Sequence, residues 1–266
     1  MKCTFYGVVG AYQHVSKSEK FNHTSCVHIS LPSAHLIFDA GSGLRICEEQ
    51  NNLLSKPVFL FLSHFHYDHV LGLLFFNHLL FNTTPLYIVH PEPKAAKQAI
   101  TQLFSSTFFP ISIDSFKRQP IFITPEDCKN YSLDISYIQQ THPGKSYAYK
   151  LKHDNKTIIY ATDNELNSKN KATSIDFFLN ATLLIHDCFF FKENKSSVYN
   201  WGHSFLSQNL QIALDSKIDH LCLFHYNPLR IDSQYSQMKK ETETFLTKHN
   251  QPFKCHFSYD GFNLTV

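Results

Sequence analysis

Short runs of apolar and β-branched residues recur along the chain, and polar or turn residues follow each of them. Such runs between turn signals predict β-strands. The predicted strands are 3–9, 25–31, 35–41, 58–63, 85–90, 146–153, 157–163, 181–188 and 220–226. The terminal stretch HFSYDGFNLTV predicts a β-hairpin, because its Asp260-Gly261 dipeptide tolerates the positive φ of a tight turn.

Apolar residues at helical spacing lie between these strands. They predict helices over 70–81, 93–106, 204–217 and 232–248, and Ser204 is expected to cap the third. The segment 104–130 is irregular and interrupted by prolines, which indicates a loop or flap. Strands that alternate with helices indicate a layered α/β fold. No repeat or change in composition divides the chain, so we expect a single domain over 1–266.

Composition excludes several classes of protein. The chain has 43% hydrophobic and 17% charged residues, a composition typical of a folded protein and not of a disordered one. Its net charge of +2 is too small to indicate a strongly basic surface for binding nucleic acid. The seven cysteines contain no C-x-x-C pair, which argues against a disulfide framework and a thiolate zinc site. We find no signal peptide and no membrane-spanning stretch, so we expect no membrane association and a cytoplasmic location.

The strongest chemical signal is the motif HFHYDH over 64–69, which directly follows the apolar run VFLFL. Three imidazoles and a carboxylate in six residues cannot all be buried apart, because each would need its own polar partner. Alternate residues of an extended segment point the same way, so His64 and His66 can hold one metal ion. Asp68 and His69 are then expected to turn toward a second ion.

Further ligands are expected at the ends of other strands, because one short motif cannot complete two metal shells. His142 in THPG follows the β-prone run ISYIQQ, Asp163 ends the run TIIYATD, and His225 follows the run HLCLF. A rigid sheet that presents side chains from several strand ends is a typical way to assemble such a site.

The order of motifs HFHYDH, THPG, ATD, LIHD, WGHS and LFH resembles the metallo-β-lactamase-fold hydrolases. More narrowly, it resembles the branch that contains ribonuclease Z and the bacterial cyclic-phosphate and cyclic-nucleotide phosphodiesterases. The stretches FYGVVGA, NHTSCVHISLPSAHLIFDAGSGLR and FSSTFFPISID resemble the same branch, so the likeness extends from Cys3 to Gly261. It implies a four-layer αββα sandwich with a dinuclear metal centre at the edge of the sheets.

The resemblance also implies the ligands of two divalent metal ions. They are His64, His66 and His142 for one ion, Asp68, His69 and His225 for the other, and Asp163 as the bridge. Ligands that offer only nitrogen and oxygen suit Zn²⁺, with Mn²⁺ or Fe as alternatives. Two cations that share a water make hydroxide available near neutral pH, and Asp68 is expected to receive the proton of that water.

A second tier of residues is implied near the leaving group. His203 is expected to act as general acid or phosphate contact, and Asp187 is expected to hold it. The alternative is that this pair only ties a strand end to the following helix. For His186 the sequence allows two roles, support of the catalytic residues or packing in the core. For Asp39 it also allows two, support of the metal ligands or a role in a turn.

The expected function is a phosphodiesterase that uses a metal-bridging hydroxide on a small cyclic or diester nucleotide-like substrate. The chain has three arginines and lacks the Gly-, Pro- and Lys-rich arm with which ribonuclease Z grasps tRNA, so RNA is less favoured. Alternatives are a thioester, lactone or β-lactam hydrolase, an RNA-processing nuclease, and a non-catalytic binding module. The resemblance leaves a homodimer open.

Several residues near the expected site have no assigned role. Family members often carry arginine in place of Val9 and a second glycine in place of Lys145, which leaves the substrate open. His23 lies in a part of the fold that borders the site. The 104–118 loop carries aromatic residues that either stack a base or pack in the core, namely Phe104, Phe108 and Phe109 beside Pro110.

Overall fold

The computed structural model describes residues 1–81, 83–192, 197–198 and 200–266. Within these ranges the strands form one sheet of seven and one of six. In spatial order the first sheet contains β13 (Phe262–Thr265), β1 (Lys2–Gly7), β2 (Cys26–Ser30), β3 (His35–Phe38), β4 (Val58–Phe61), β5 (Leu86–Val89) and β6 (Ile121–Ile123). The second sheet contains β12 (Lys254–Phe257), β11 (His220–Phe224), β10 (Leu183–Asp187), β9 (Lys156–Ala161), β8 (Ser146–His153) and β7 (Asp134–Gln140).

The two sheets pack face to face through aromatic side chains. The ring of Phe38 lies 5.3 Å from that of Tyr160, and the ring of Phe61 lies 5.4 Å from that of Tyr149. Alternate residues of β3 and β4, such as Ile37, belong to a second apolar cluster on the outer face of the first sheet. Strands that are buried on both faces read as continuous apolar runs, which is why the sequence identifies them so clearly.

Helices cover the outer faces. They are α1 (Gly43–Gln50), α2 (Tyr67–Val70), α3 (Asn77–Phe81), α4 (Pro93–Leu103), α5 (Lys171–Phe178), α6 (Leu206–Asp215) and α7 (Ile231–Lys248). Short 3₁₀ helices span Leu71–Phe75, Ile113–Ser115 and Pro125–Tyr131. The first and fourth helices pack on the seven-stranded sheet, and the sixth and seventh on the six-stranded sheet. The predicted αββα sandwich is confirmed.

The helix predicted over 70–81 is wrong, because the chain there is divided into α2, a 3₁₀ helix and α3. The break follows from a close approach at Gly72, whose N–H donates to the carbonyl of Ala40 at 2.8 Å. A Cβ atom at this position would lie 2.1 Å from the carbonyl oxygen of Gly41. A side chain cannot fit there, and a continuous helix would withdraw this N–H from Ala40.

Ser204 does not cap α6, contrary to the prediction from its position. Phe205 is the N-cap residue, and its N–H bonds to the side chain of Gln208 at 2.9 Å. The Ser204 hydroxyl instead donates to the carbonyl of Asn164, which joins the start of α6 to the loop after β9.

The prediction of a terminal hairpin is also wrong, although the predicted turn at Asp260-Gly261 is present. Strand β12 pairs in parallel with β11, whereas β13 pairs antiparallel with β1 in the other sheet. The carboxylate of Asp260 accepts hydrogen bonds from the backbone N–H groups of Asn22 and His23, at 2.7 and 3.1 Å. These contacts hold the turn against the N-terminal segment, so the chain crosses between sheets.

No helix in the described ranges has both the length and the apolar character that a bilayer crossing requires.

Candidate metal centre

Several predicted strands end earlier than their apolar runs, and the residues just past their ends belong to the site. Asp39 follows β3, Asp163 lies two residues after β9, and His225 follows β11; their φ angles are +59°, +52° and +57°. Left-handed backbone takes a residue out of the strand ladder, and Asp and His are among the side chains that adopt it more readily. The chain therefore leaves the sheet at the residues that carry the polar side chains.

The HFHYDH motif begins just after β4 and bends into the single turn of α2. His66 is the N-cap residue of this turn and has extended backbone, with φ −64° and ψ 152°. Asp68 and His69 lie within the turn and are buried, as is His64. The motif thus presents side chains from an extended segment and from a helical turn to one place, as the alternation of the sequence predicts.

The structure brings all seven predicted ligands together. One group contains His64, His66, His142 and Asp163, and another contains Asp68, His69 and His225, with donor atoms of each group within 4.8 Å of one another. Many of these side chains line a cavity of about 640 Å³. Asp163, His203 and His225 form a further group at the same spacing, which the sequence does not indicate.

Asp163 lies between the two main groups and directs one oxygen toward each. Its Oδ2 is 3.6 Å from Nε2 of both His64 and His142. Its Oδ1 is 3.3 Å from Nε2 of His69 and 3.2 Å from Nε2 of His225. A single carboxylate is therefore shared by four imidazoles from three segments of the chain, the HFHYDH motif and the segments of His142 and His225.

The chemistry of the donors fits divalent metal ions. The Nε2 atoms of His64 and His69 are buried and have no hydrogen-bond partner among the described residues, although buried polar atoms are normally paired. Burial and the neighbouring imidazole of His69 lower the pKa of His64 well below its usual value, which favours the neutral form that binds metal. Burial opposes ionisation of Asp163, but the surrounding imidazoles hold its pKa well below the usual range.

Asp39 holds His69 from behind the cavity. Its Oδ2 accepts hydrogen bonds from His69 Nδ1 at 2.7 Å, from the Ser63 hydroxyl at 2.8 Å and from the Tyr160 hydroxyl at 2.8 Å. The bond at Nδ1 leaves the Nε2 lone pair of His69 free to face the cavity. Asp39 thus both supports a predicted ligand and ends a strand, and Tyr160 links this support to the opposite sheet.

Asp39→Ala is expected to lower the free energy of unfolding by about 3–5 kcal/mol, the usual cost of breaking a buried charged pair. The variant leaves four buried donors without their acceptor, because the N–H of Ser63 also donates to Asp39 Oδ1 at 2.7 Å. It also places alanine at a left-handed φ. Denaturant unfolding should show a lower midpoint with an unchanged slope. The exposed Asp134→Ala serves as control, and equal stability of the two variants would contradict the role of Asp39.

His203 and Asp187 form a close pair beside the metal groups. His203 Nδ1 donates to Asp187 Oδ2 at 2.8 Å, and the ring of Phe189 stacks on the imidazole with centroids 4.4 Å apart. The buried Asp187 carboxylate also accepts from the N–H groups of Asn164 and Phe189 at 3.2 and 2.9 Å. Burial alone would lower the pKa of His203, but Asp187 and the site's other carboxylates raise it to about 9.

The peptide of Gly202 holds His142, a contact that sequence reasoning missed. The Gly202 carbonyl accepts from His142 Nδ1 at 3.0 Å, and its N–H donates to Glu165 Oε2 at 3.1 Å. Gly202 has φ +83°, and a Cβ atom there would lie 2.1 Å from His142 Nδ1. The glycine of the WGHS motif could have indicated this close contact with His142, whereas nothing in the sequence indicates the role of Glu165.

The residues left open by the sequence are now located. His186 is fully buried and donates from Nδ1 to the carbonyl of Asp187 at 3.0 Å, so it lies behind the site and does not line the cavity. His23 contacts the Ser42 hydroxyl at 3.4 Å and is likewise absent from the cavity lining. In the 104–118 loop, Phe108 lines the cavity, whereas Phe104 is buried in the core.

Comparisons with known proteins agree with this geometry. The family model described as a beta-lactamase superfamily domain matches residues 35–226. Ribonuclease Z of Thermoplasma acidophilum is 23% identical, and the alignment covers 93% of this chain and 94% of that protein.

Solved structures show the same fold. The metallo-beta-lactamase fold protein YhfI from Bacillus subtilis superposes with a TM-score of 0.73 at 18% identity, over 99% of both chains. A diphosphatase from the PhnP family superposes with a TM-score of 0.67 at 17% identity, over 99% of this chain and 97% of that one. The chain belongs to the beta-lactamase superfamily and is a metal-dependent hydrolase of the metallo-β-lactamase fold.

Proposed function

We propose that this hydrolase is a dinuclear phosphodiesterase that acts on a small diester substrate. The observation that carries the proposal is the placement of Asp163, which offers one oxygen to each of two groups of imidazoles. A shared carboxylate between two donor sets is the arrangement expected of a two-metal hydrolytic site. The pair of His203 and Asp187 beside it adds a proton donor, which separates a phosphodiesterase from a site with metal ligands alone.

The proposed ligands follow the two groups. His64, His66 and His142 would hold one divalent ion, Asp68, His69 and His225 the other, and Asp163 both. Zn²⁺ suits this set of nitrogen and oxygen donors, and Mn²⁺ and Fe are the alternatives. When bound, two such ions supply Lewis-acid stabilisation of the phosphoryl oxygens and lower the pKa of an attacking water.

Asp68 is positioned to receive the proton of that water. Its Oδ2 accepts a hydrogen bond from the N–H of Ala11 at 2.8 Å and lies 3.1 Å from Nε2 of His225. These contacts fix the carboxylate at the cavity, which it lines together with Asp163. A carboxylate held in this way can accept a proton without having to move.

His203 would donate a proton to the leaving oxygen. Its Nδ1 is occupied by Asp187, so Nε2 is the nitrogen available to substrate. The raised pKa keeps the imidazole protonated at neutral pH. Because an alkoxide is a poor leaving group, a positioned imidazolium is worth about 10²–10⁴-fold in rate.

A small substrate is favoured over RNA. The described residues that line the cavity include neither lysine nor arginine, and proteins that bind polynucleotides neutralise several phosphates with such side chains. Ribonuclease activity is the second candidate, because the Thermoplasma acidophilum relative carries that name. The homodimer stays a prediction.

The test is a substrate panel on the purified protein with its metal content measured. We expect two metal ions per chain and hydrolysis of bis(4-nitrophenyl) phosphate, with activity lost on chelation and regained with Zn²⁺. A β-lactam, a lactone and a thioester should react far more slowly than the diester. A folded protein with two metal ions that hydrolyses no diester, or that prefers a carbonyl substrate, would reject the proposal.

A further inference from the structure

Three large aromatic side chains at the cavity remain exposed to solvent. Tyr67, Phe108 and Trp201 are 63%, 60% and 55% exposed, and all three line the cavity that contains the metal groups. Exposed aromatic residues that gather at one place mark a binding surface more often than scattered ones do. None of the three has a role in the proposed hydrolysis.

The cavity has two chemically different parts. The imidazoles and carboxylates form one part, whereas α4 contributes Ala99, Ile100 and Leu103 to the other. Its volume of about 640 Å³ falls within the range of about 300–1,000 Å³ that holds small ligands. A ligand that fills both parts carries one polar reacting group and one apolar portion.

The aromatic side chains project from anchored segments. The N–H groups of Phe108 and Phe109 both donate to the carbonyl of Ser105 at 2.9 Å, and the ring of Phe109 packs 5.6 Å from that of Phe104. On the other segment, Trp201 packs 6.2 Å from Phe190. The neighbours of the exposed rings are therefore packed, whereas the rings themselves are each more than half exposed.

Trp201 lies close in the chain to the proposed proton donor. It precedes Gly202, whose peptide is fixed between Glu165 and His142, and it is two residues from His203. Trp201 and His203 line the same cavity, so a group that contacts Trp201 shares this space with the proposed proton donor.

The charge of the site limits the ligand further. The cavity lining in the described ranges contains no lysine or arginine, and the nearby Lys145 ammonium is paired with Glu92 at 2.7 Å. Two metal ions can balance the single charge of one phosphodiester, but additional phosphates would find no partner among these side chains. The site therefore suits a monoanionic diester with a flat apolar substituent.

We propose that Tyr67, Phe108 and Trp201 bind the planar aromatic group of a monoanionic phosphodiester, such as a nucleobase or an aryl ester, and so select the substrate. The inference rests on the proposed phosphodiesterase activity and adds the class of substrate. Any flat aromatic group can stack on an aromatic side chain, so these three residues select flat aromatic groups in general and do not distinguish one base from another.

Trp201 makes the binding test direct, because it is the single tryptophan of the chain. Its fluorescence should be quenched by adenosine 5′-monophosphate, a ligand that carries both a phosphate and a base. Calorimetry on the metal-loaded protein should give an affinity about ten-fold higher for this nucleotide than for ribose 5-phosphate, the gain expected of one base–aromatic stack. Phe108→Ala should remove most of that preference, and Phe108→Trp should retain it.

The matched control is Phe81→Ala, which removes an equally exposed phenylalanine (63%) that does not line the cavity. It should leave the preference unchanged. In kinetics, the ratio of kcat/KM for thymidine 5′-(ethyl phosphate) to that for diethyl phosphate, which carries no aromatic group, should fall about ten-fold in Phe108→Ala, mainly through KM.

The results of these experiments distinguish failure of the aromatic binding site from failure of the proposed phosphodiesterase activity. Equal affinity for the nucleotide and the sugar phosphate, or a preference unchanged in Phe108→Ala, overturns the aromatic site while diester hydrolysis persists. Absence of hydrolysis of every diester overturns the phosphodiesterase and the inference with it. A base preference that is lost in Phe108→Ala and kept in Phe81→Ala, together with diester turnover, supports both.

Discussion

Asp163→Asn is expected to release the bound metal ions and to lower kcat/KM on a phosphodiester by on the order of 10⁴-fold, as removal of a central catalytic group does. Asparagine keeps the volume of the side chain, and it tolerates the left-handed φ of +52° that this position requires. The backbone should therefore be preserved. The amide nitrogen cannot act as a ligand, so one of the two groups of imidazoles loses its shared oxygen.

Metal analysis and kinetics on the same preparation check this expectation. Asp176→Asn changes an exposed aspartate of α5 and should retain both ions and full activity. Circular dichroism of the two variants should match, because neither substitution alters the core. Two firmly bound ions in Asp163→Asn would contradict the bridging role, whatever its activity.

His203→Ala is expected to lower kcat by about 10²–10⁴-fold on a diester with an alkyl leaving group. The loss should be much smaller with a 4-nitrophenyl leaving group, which departs without needing a proton. Metal content should not change, because the Nδ1 of His203 is hydrogen-bonded to Asp187. The two main groups of proposed metal ligands do not include His203. Asp187→Asn should show the same dependence on the leaving group to a smaller degree.

The dependence on the leaving group separates three roles for His203. An equal loss on both substrates together with lower thermal stability would indicate that the pair only joins β10 to the segment before α6. A loss of metal would indicate that His203 is a ligand with Asp163 and His225. His249→Ala, at the end of α7, is the control histidine and should alter neither metal content nor rate.

Sequence reasoning predicts the site well where the signal is local or repeats at strand ends. The HFHYDH motif and the polar residues after β7, β9 and β11 do converge. Strands β7, β9 and β11 run in the same direction, so they end at one edge of the six-stranded sheet, where the segment after β4 of the other sheet meets them. The supporting contacts were not predictable in the same way. Tyr160 reaches Asp39 from the opposite sheet, and Glu165 acts through the peptide of Gly202.

The fold shows the same division between local and distant causes. Strands buried on both faces stand out as apolar runs and are predicted from the sequence. The short strand β6 (Ile121–Ile123) is not, because it lies in the segment 104–130 that the sequence indicates as a loop or flap. The break at Gly72 depends on the approach of Ala40 and Gly41, and the crossing at Asp260 depends on Asn22 and His23. These partners are tens or hundreds of positions away, where periodicity carries no information.

The left-handed backbone at the strand ends has a consequence for descent within the superfamily. His225 has φ +57°, a left-handed conformation that costs free energy for any residue except glycine, although histidine adopts it more often than most side chains. Selection for turnover gives a reason to keep a histidine there, and selection for folding alone does not. In duplicated genes whose products no longer hydrolyse anything, we expect this codon to be among the first to drift, toward asparagine or glycine.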